Sequence, residues 1–331
     1  FMRLRIALII TAVFCVNFCP AGQDKKQYCY KFEKGQQYYI KHILQRKIKP
    51  IESQGDGMTI EQKFSFGYKV LVKDVAEDGS AWLQCMYDYV SIDQKDFEKQ
   101  VSYDSVTSDN DSVSPLLWGY RALLGEVFEI KISKLGKVEQ VKGFLDVHHS
   151  IGEKIQPNPK KKMLIRQIQS QFNDFAMREL LTNLTDIYTD KNVSKGTSWN
   201  KTFETSYDSQ MVFDNKFRIN DVTDDGFAVI GLESKIKTKF GAKPINRNLM
   251  KLKSKSSGSQ NGTIKINESS GEIITSDINQ KITTFTEVIS SEAQIPKSSS
   301  VEIESLIHFE FKKLSEQKPE EPIKSPENPV F

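Results

Sequence analysis

The residue types that most often carry metal or nucleophilic chemistry are few in this sequence. The four histidines are His42, His148, His149 and His308, and none has an H-E-x-x-H or comparable metal-ligand spacing. For the adjacent pair His148-His149, a metal role is the alternative to a place on a loop surface. No G-x-S-x-G nucleophile motif, cysteine–histidine signature or phosphate-binding glycine loop occurs. We therefore expect no catalytic centre, no metal site and no cofactor.

Carboxylates are numerous, with 43 Asp and Glu residues, so counting alone does not exclude an acid–base pair of the glycosidase kind. Asp74 and Asp78 recur as Asp221 and Asp225 in a similar segment later in the chain. Turn chemistry, in which the side chains bond nearby backbone groups, is their expected role. A calcium site is the alternative, although the dense ligand pattern of a calcium loop is absent.

The first residues, 1–21, predict a secretory signal peptide. Two arginines precede an apolar stretch at 6–14, and small residues end at Ala21, where we expect cleavage. The stretch is shorter than the roughly 20 residues that a membrane-spanning helix needs. Lipid attachment is the alternative, but bulky phenylalanines precede both Cys15 and Cys19. We expect an exported protein, periplasmic or extracellular, that associates with a membrane only if it is lipid-anchored.

Two cysteines remain after this cleavage, Cys29 and Cys85, each in a strand-like segment. In an oxidising compartment they could form one disulfide. Two buried free thiols are the alternative. Two cysteines alone do not make a zinc site.

The charge balance gives no electrostatic argument for a nucleic-acid partner. The net charge is +3, from 46 basic and 43 acidic residues, whereas nucleic-acid binding calls for a clustered basic face. Hydrophobic residues make up 38% of the chain, which is ordinary for a globular protein with a core.

Alternation of apolar and polar residues predicts strands in most of the chain. Phe66–Val75 and Ser80–Val90 form the clearest hairpin, with Asp78-Gly79 as the turn. Residues 251–260, rich in Lys, Ser and Gly, are expected to form a loop. Lys162–Tyr188 carries apolar residues at helical spacing and is predicted as one long helix.

Two β segments match each other in order, which predicts an internal duplication. The positions of Lys69–Ala81 correspond to Lys216–Ala228 at a constant offset, including the strand, the Asp-Gly turn and the start of the next strand. Ile130-Lys131-Ile132 corresponds likewise to Ile264-Lys265-Ile266. The alternative is independent use of Asp-Gly hairpins, which are common in antiparallel sheets.

The duplicated sheets need cover for their apolar faces, and three sources are available: the long helix, the other unit, or a hydrophobic ligand. Aromatic residues make up 10% of the chain and crowd the first sheet. Sheet packing is their expected role. A groove for an apolar ligand or a sugar is the alternative.

Several segments resemble a family of exported bacterial proteins of unknown function, many of which are described as lipoproteins. The segments are YDSV at 103–106, PLLWGYRALLGEVFEIKISKLGKVEQVKGF at 115–144, KGTSW at 195–199 and the hairpin at 72–90. The resemblance covers most of residues 30–290 and implies a location and an architecture, but no activity. The chain departs from the family in lacking a clear lipid-attachment cysteine. The strand-rich repeats also resemble the open β-barrel of periplasmic lipoprotein carriers.

These observations predict a mainly β (α+β) protein. It has two duplicated antiparallel units, each a β-meander or open barrel, with a long helix between them. The predicted units are a first β unit at 22–150, a helical connector at 151–194 and a second β unit at 195–315. A disordered tail rich in Pro and Glu follows at 316–331.

The expected function is non-catalytic binding of a lipid or other apolar small molecule by an exported envelope protein. A structural or protein-interaction module with an envelope protein as partner is the alternative. An unrecognised hydrolase is a weaker one.

Overall fold

A computed structural model describes residues 25–51, 59–96, 99–108, 113–206, 210–247, 250–291 and 298–314. The predicted signal peptide at 1–21 and the predicted tail at 316–331 lie outside the described residues, so both stay predictions.

The described chain forms one open antiparallel sheet of 13 strands, and the mainly β prediction is confirmed. The strands are β1 (Gln37–Pro50), β2 (Ile60–Val75), β3 (Ala81–Lys95), β4 (Gln100–Asp104), β5 (Val127–Ile132), β6 (Val138–Lys142), β7 (Ser198–Glu204), β8 (Met211–Val222), β9 (Phe227–Thr238), β10 (Ile245–Arg247), β11 (Met250–Asn267), β12 (Ile273–Ser291) and β13 (Ser298–Lys313). Their order across the sheet is β6-β5-β3-β2-β1-β13-β12-β11-β9-β8-β7, with β4 beside β3 and β10 beside β11.

One strand pair joins the two predicted β units. The last strand, β13, pairs with the first, β1, from Tyr38 opposite Lys313 to Pro50 opposite Val301. The units are therefore halves of a single sheet. The boundaries at 22–150, 151–194 and 195–315 stay predictions.

The hairpins β2–β3 and β8–β9 have the same geometry at the positions that match in sequence. The pairing register shifts between Val72 and Asp74 in the first hairpin, and between Ile219 and Asp221 in the second. The turn glycines have φ angles of 81° and 84°, in the left-handed region that favours glycine over other residues. Each half therefore bends its long hairpin at the same place.

The next strands repeat the correspondence. Ile132 of β5 lies opposite Ala81, and Ile266 of β11 lies opposite Ala228. Both strands have a register shift at the preceding lysine. A duplication requires these equivalences, and the duplication itself stays a prediction.

The helical segments lie between β4 and β7. They are a 3-10 turn (Pro115–Leu117), α1 (Trp118–Arg121), α2 (Phe144–Lys154), α3 (Lys161–Gln171) and α4 (Asp174–Thr185). No helix in the described part of the chain is long and apolar enough to cross a membrane.

The prediction of one long helix over Lys162–Tyr188 is wrong, because the chain breaks between α3 and α4. Asn173 has an extended backbone, and its side chain accepts hydrogen bonds from the backbone N–H groups of Phe175 and Ala176 at 3.1 and 2.9 Å. This is an N-cap that starts a new helix. The break also turns the ring of Phe172 into the core, 5.5 Å from the ring of Phe66.

The helices cover the apolar face of the first half of the sheet. Phe144 of α2 packs on Phe128, with 5.0 Å between ring centroids, and Tyr120 of α1 packs on Phe64 at 6.0 Å. Helices, one of the three sources of cover that the sequence analysis considers, thus pack on the apolar face of this half of the sheet.

The segment before β1 ties the halves together at two equivalent turns. The backbone N–H of Tyr30 donates to the Lys134 carbonyl, and that of Lys31 donates to the Ser270 carbonyl, both at 2.9 Å. The Tyr188 hydroxyl donates to the Gly271 carbonyl in the same region. The two turns are therefore held at a fixed separation.

The loop predicted at 251–260 is wrong, because these residues form the first part of β11. Ser256 and Gln260 are buried on one face, while Lys253 and Lys255 are exposed on the other. This part of the strand is mostly polar on both faces, so alternation of hydrophobicity could not reveal it. Pairing with β9 and β12 holds it in place.

His42 provides a test of the core. It lies on β1 between Phe66 and Phe309, its Nε2 has no hydrogen-bond partner among the described residues, and burial lowers its pKa from 6.5 to about 4. Between these values the unfolded chain binds a proton that the folded chain does not. We expect stability to fall by about 3 kcal/mol as pH drops from 6.5 to 4. The measurement is urea unfolding across this range for the protein and for His42→Leu.

Carboxylates that titrate in the same range act alike in both proteins, so the informative quantity is the difference between the two curves. The difference between the two free energies of unfolding should change with pH, between pH 6.5 and 4, with a slope that corresponds to about one bound proton. Parallel curves would show that His42 is not buried in its neutral form.

The Asn173 cap provides a second test. We expect Asn173→Ala to lower the free energy of unfolding by about 1 kcal/mol, because two backbone N–H groups lose their acceptor. Asn173→Asp keeps an acceptor there and should be nearly neutral. The measurement is urea unfolding at pH 7, and equal losses in the two variants would contradict the role of the cap.

Candidate functional site

A cavity of about 740 Å³ lies on the face of the sheet opposite the helices, and we call it the trough. It is bordered by residues of six neighbouring strands, β3, β2, β1, β13, β12 and β11, with Gln100 of β4 at one end. Six strands of a flat sheet would spread over roughly 24 Å. A single cavity bordered by all six requires the sheet to curl around it.

The cross-strand register explains why these side chains meet. Two adjacent rows of residues run across the sheet, and alternation places both on the same face. One row contains Asn261, Asn279, Leu306, Gln45, Lys63 and Asp93; the other contains Ser259, Lys281, Glu304, Lys47, Glu61 and Lys95. Among the described residues that border the trough, Leu306 is the one apolar residue.

Ion pairs fix the positions of several charged side chains that border the trough. The Lys47 ammonium lies 3.2 Å from the Glu61 carboxylate. Lys281 lies 3.0 Å from Glu302 and 3.4 Å from Glu304. The hydrogen bond from Lys281, together with the charge of Lys49, holds the pKa of Glu304 below its usual value. These pairs are exposed, so each adds little to stability but does fix side-chain positions.

Two lysines of the trough have no ion pair within the part of the chain that the structure describes. In the register, Lys63 lies opposite Asp93 and Lys95 lies opposite Glu61. The Asp93 carboxylate accepts a hydrogen bond of 2.8 Å from Gln100 instead, and Glu61 is paired with Lys47. Lys63 and Lys95 therefore border the cavity without a carboxylate of the described residues within 4 Å of either ammonium group.

A third polar row lies between the first two, with its side chains on the opposite face by alternation, and its members Arg46, Gln62, Gln280 and Ser305 also border the trough. Gln260 donates to Asn215 at 3.3 Å, and Gln280 donates to Gln260 at 3.0 Å. In the first half, Arg46 donates to Gln62 at 2.7 Å, and burial lowers the pKa of the Arg46 guanidinium. The strands are polar on both faces at this level, and the buried amides are hydrogen-bonded, as a low-dielectric site requires.

Cys29 and Cys85, for which the sequence left a disulfide and free thiols open, are both free thiols in this structure. Cys85 lies on β3 opposite Phe128, and burial raises its pKa to about 12. Cys29 lies against the turn at Gly271, in the other half of the sheet. A thiol with so high a pKa is unreactive at neutral pH.

The four histidines are dispersed. His148 contacts the Phe172 carbonyl at 2.5 Å, and His149 lies beside Glu153 on the exposed face of α2. His308 lies near the trough, with its Nδ1 2.7 Å from the Asp277 carboxylate. Among the described residues, no serine or cysteine is hydrogen-bonded to His308, and no cluster of His, Cys, Asp and Glu could hold a metal ion.

The repeated aspartates lie at the hairpin turns, outside the trough. The Asp78 carboxylate accepts a hydrogen bond of 2.8 Å from the Ser80 backbone N–H, which is the predicted turn chemistry. Asp74 pairs with Lys34 at 3.3 Å, and Asp221 pairs with Lys195 at 2.6 Å. The hydrogen bond from Lys195 lowers the pKa of Asp221.

The aromatic residues of the first sheet are mostly core residues. Tyr87, for example, packs 4.9 Å from Tyr68 and 5.5 Å from Phe128. None borders the trough. Sequence reasoning missed the trough because its members are ordinary exposed polar residues on strands far apart in the chain.

A family model described as a family of unknown function (DUF6263) matches residues 78–273, which is more than half of the chain. The resemblance to a family of unknown function is thereby confirmed. A search of the curated proteins found no match.

Three solved structures are similar to the chain at low identity. A lipovitellin structure on lipid–protein interactions has 8% identity and a TM-score of 0.44 over 87% of this chain, which spans 26% of that protein. The outer membrane protein OprG from Pseudomonas aeruginosa has 8% identity and a TM-score of 0.25, over 86% of this chain and 98% of that one. The β domain of the Bordetella autotransporter BrkA has 7% identity and a TM-score of 0.24, over 85% and 100%.

Proposed function

This chain belongs to a family of unknown function (DUF6263), and we propose that it is an exported, non-catalytic binding protein whose ligand lies in the trough. The observation that carries the proposal is the 740 Å³ cavity, walled by side chains from six adjacent strands. Ligand sites in proteins commonly have volumes of about 300–1,000 Å³. The walls sit on a paired sheet, so the site is largely formed before a ligand arrives.

The chemistry of the walls supports a polar ligand. Amides from Gln45, Asn261 and Asn279 offer both donors and acceptors, and lysines and carboxylates surround them. A polar ligand replaces the hydrogen bonds that these groups make to water. An apolar ligand would leave them buried and unsatisfied, at a cost of about 1–3 kcal/mol per group.

A lipid or other apolar small molecule is the expectation from the sequence, and the trough gives it less support. Only Leu306 among the residues that border the trough is apolar. The apolar side chains of the first half, such as Phe64 and Phe66, pack against the helices. An apolar ligand is therefore the second candidate.

The absence of catalysis is part of the proposal. A general acid at neutral pH needs a carboxyl group with a raised pKa. The carboxyl groups of described residues whose pKa departs from its usual value are all lowered, Glu304 in the trough among them. Placement in the cell envelope rests on the signal-peptide pattern of residues 1–21.

Native mass spectrometry of the protein purified from its own host tests the proposal. We expect an added mass that survives extraction with organic solvent and is lost in Ser259→Trp, where the indole projects into the trough and obstructs it. Ser257→Trp is the matched control, because Ser257 is also exposed on β11 but does not border the trough. Circular dichroism shows whether both variants fold.

The outcomes separate the candidates. A mass that organic solvent removes would favour the apolar ligand. A bound mass that both tryptophan variants retain would place the ligand elsewhere on the protein. Protein without any bound mass, after gentle purification, would contradict binding and favour the protein-interaction module.

A further inference from the structure

We propose that the ligand of the trough is an acidic polysaccharide whose carboxylates are bound by Lys63 and Lys95. This inference rests on the proposed function and specifies its ligand. It is carried by two unpaired ammonium groups on one wall and by amides and hydroxyls on the other.

The charge pattern supports an anionic ligand. The other lysines around the trough, Lys47, Lys49 and Lys281, are within 4 Å of carboxylates. Lys63 lies opposite Asp93, which accepts a hydrogen bond from Gln100, and Lys95 lies opposite Glu61, which is paired with Lys47. A ligand carboxylate can therefore bind either ammonium group without displacing an existing ion pair, through a charge-assisted hydrogen bond.

The spacing of the two lysines suits a chain that carries repeated charges. They are diagonal neighbours on β2 and β3, with Cα atoms about 7–8 Å apart. Each has a long, flexible stem, so each ammonium can reach a separate group of one ligand.

The opposite wall suits hydroxyl groups. Ser259, Asn261 and Asn279 are exposed and lie beside one another on β11 and β12. Each side chain both donates and accepts hydrogen bonds, as a sugar hydroxyl does. Together the two walls offer carboxylate recognition on one side and hydroxyl recognition on the other.

A peptide ligand fits the trough less well. The strands under the trough centre, β2, β1, β13 and β12, each have a partner on both sides, so none offers a free edge for strand addition. Pockets for apolar side chains are also missing from the walls, where Leu306 is the one apolar residue.

The test compares three polymers by isothermal titration calorimetry with the full mature protein: polygalacturonate, neutral dextran and dextran sulfate. We expect polygalacturonate to bind, dextran to bind much more weakly, and the polygalacturonate affinity to fall as salt rises. Lys63→Gln with Lys95→Gln should weaken it at least about tenfold, because two charge-assisted hydrogen bonds are lost.

The matched control is Lys216→Gln with Lys253→Gln, which removes two exposed lysines that do not border the trough. We expect no change of affinity in this control. Equal losses in both double variants, or dextran sulfate binding that exceeds polygalacturonate binding, would mean general attraction to polyanions and would overturn the inference.

Two further outcomes separate this inference from the proposed function. If dextran binds as well as polygalacturonate and Ser259→Trp abolishes both, the trough is a ligand site but the acidic class is wrong. If no polymer binds while the bound mass from the host is still lost in Ser259→Trp, the proposed function stands and the polysaccharide is wrong.

Discussion

The pairing of β1 with β13 is the constraint on which the rest of the structure depends. The two strands lie at opposite ends of the described chain, and their antiparallel register runs without a shift from Tyr38 to Pro50. Because side chains alternate with a period of two, a slip by one residue would exchange the two faces along the whole strand. Phe309 and Phe311 would then face the trough, and Glu310 would face the core. This register therefore sets both the buried face and the polar wall.

Register shifts inside the long hairpins let the two halves curl around the same cavity. The shift between Gly67 and Tyr68 leaves Asp88 of β3 without a residue opposite it on β2. Tyr87 therefore lies in the core, while Tyr89 faces the other way and its hydroxyl donates a hydrogen bond to Asp104. Such bulges bend a strand and increase its twist. The equivalent shifts at Val72 and Ile219 bend both halves in a corresponding way. The curvature of the trough thus comes from local features of each hairpin, whereas its continuity comes from the β1–β13 pair.

The sequence predicted the local features and missed those that depend on distant partners. The Asp-Gly turns located the hairpins because glycine is needed there, and alternation located most strands. It did not reveal that helix α3 ends at Gln171, because the apolar spacing continues across the break and only the cap made by Asn173 interrupts it. Composition left open whether Cys29 and Cys85 are bonded, and both are free thiols here. No local signal linked Lys63 to Asn279, because only the pairing across β1 and β13 brings these strands together.

Residues 251–260 of β11 are predicted as a loop, and the same strand borders the trough. The polar character of this segment explains both its misleading sequence pattern and its place at the cavity. A strand can be recognised from its sequence when one face is apolar and the other is polar, because the two residue types then alternate. β11 has Ser256 and Gln260 on its buried face and Lys255 and Ser259 on its open face. The buried polar groups of its first part are stabilised by hydrogen bonds, as in the contact of Gln260 with Asn215 and Gln280, so this part stays in the sheet without an apolar face. A wall that must bind a polar ligand has to keep its open face polar, and here the buried face is polar as well. Polarity on both faces therefore indicates the part of the sheet that is stabilised by strand pairing and hydrogen bonds rather than by burial of apolar side chains. The cavity lies on that part of the sheet.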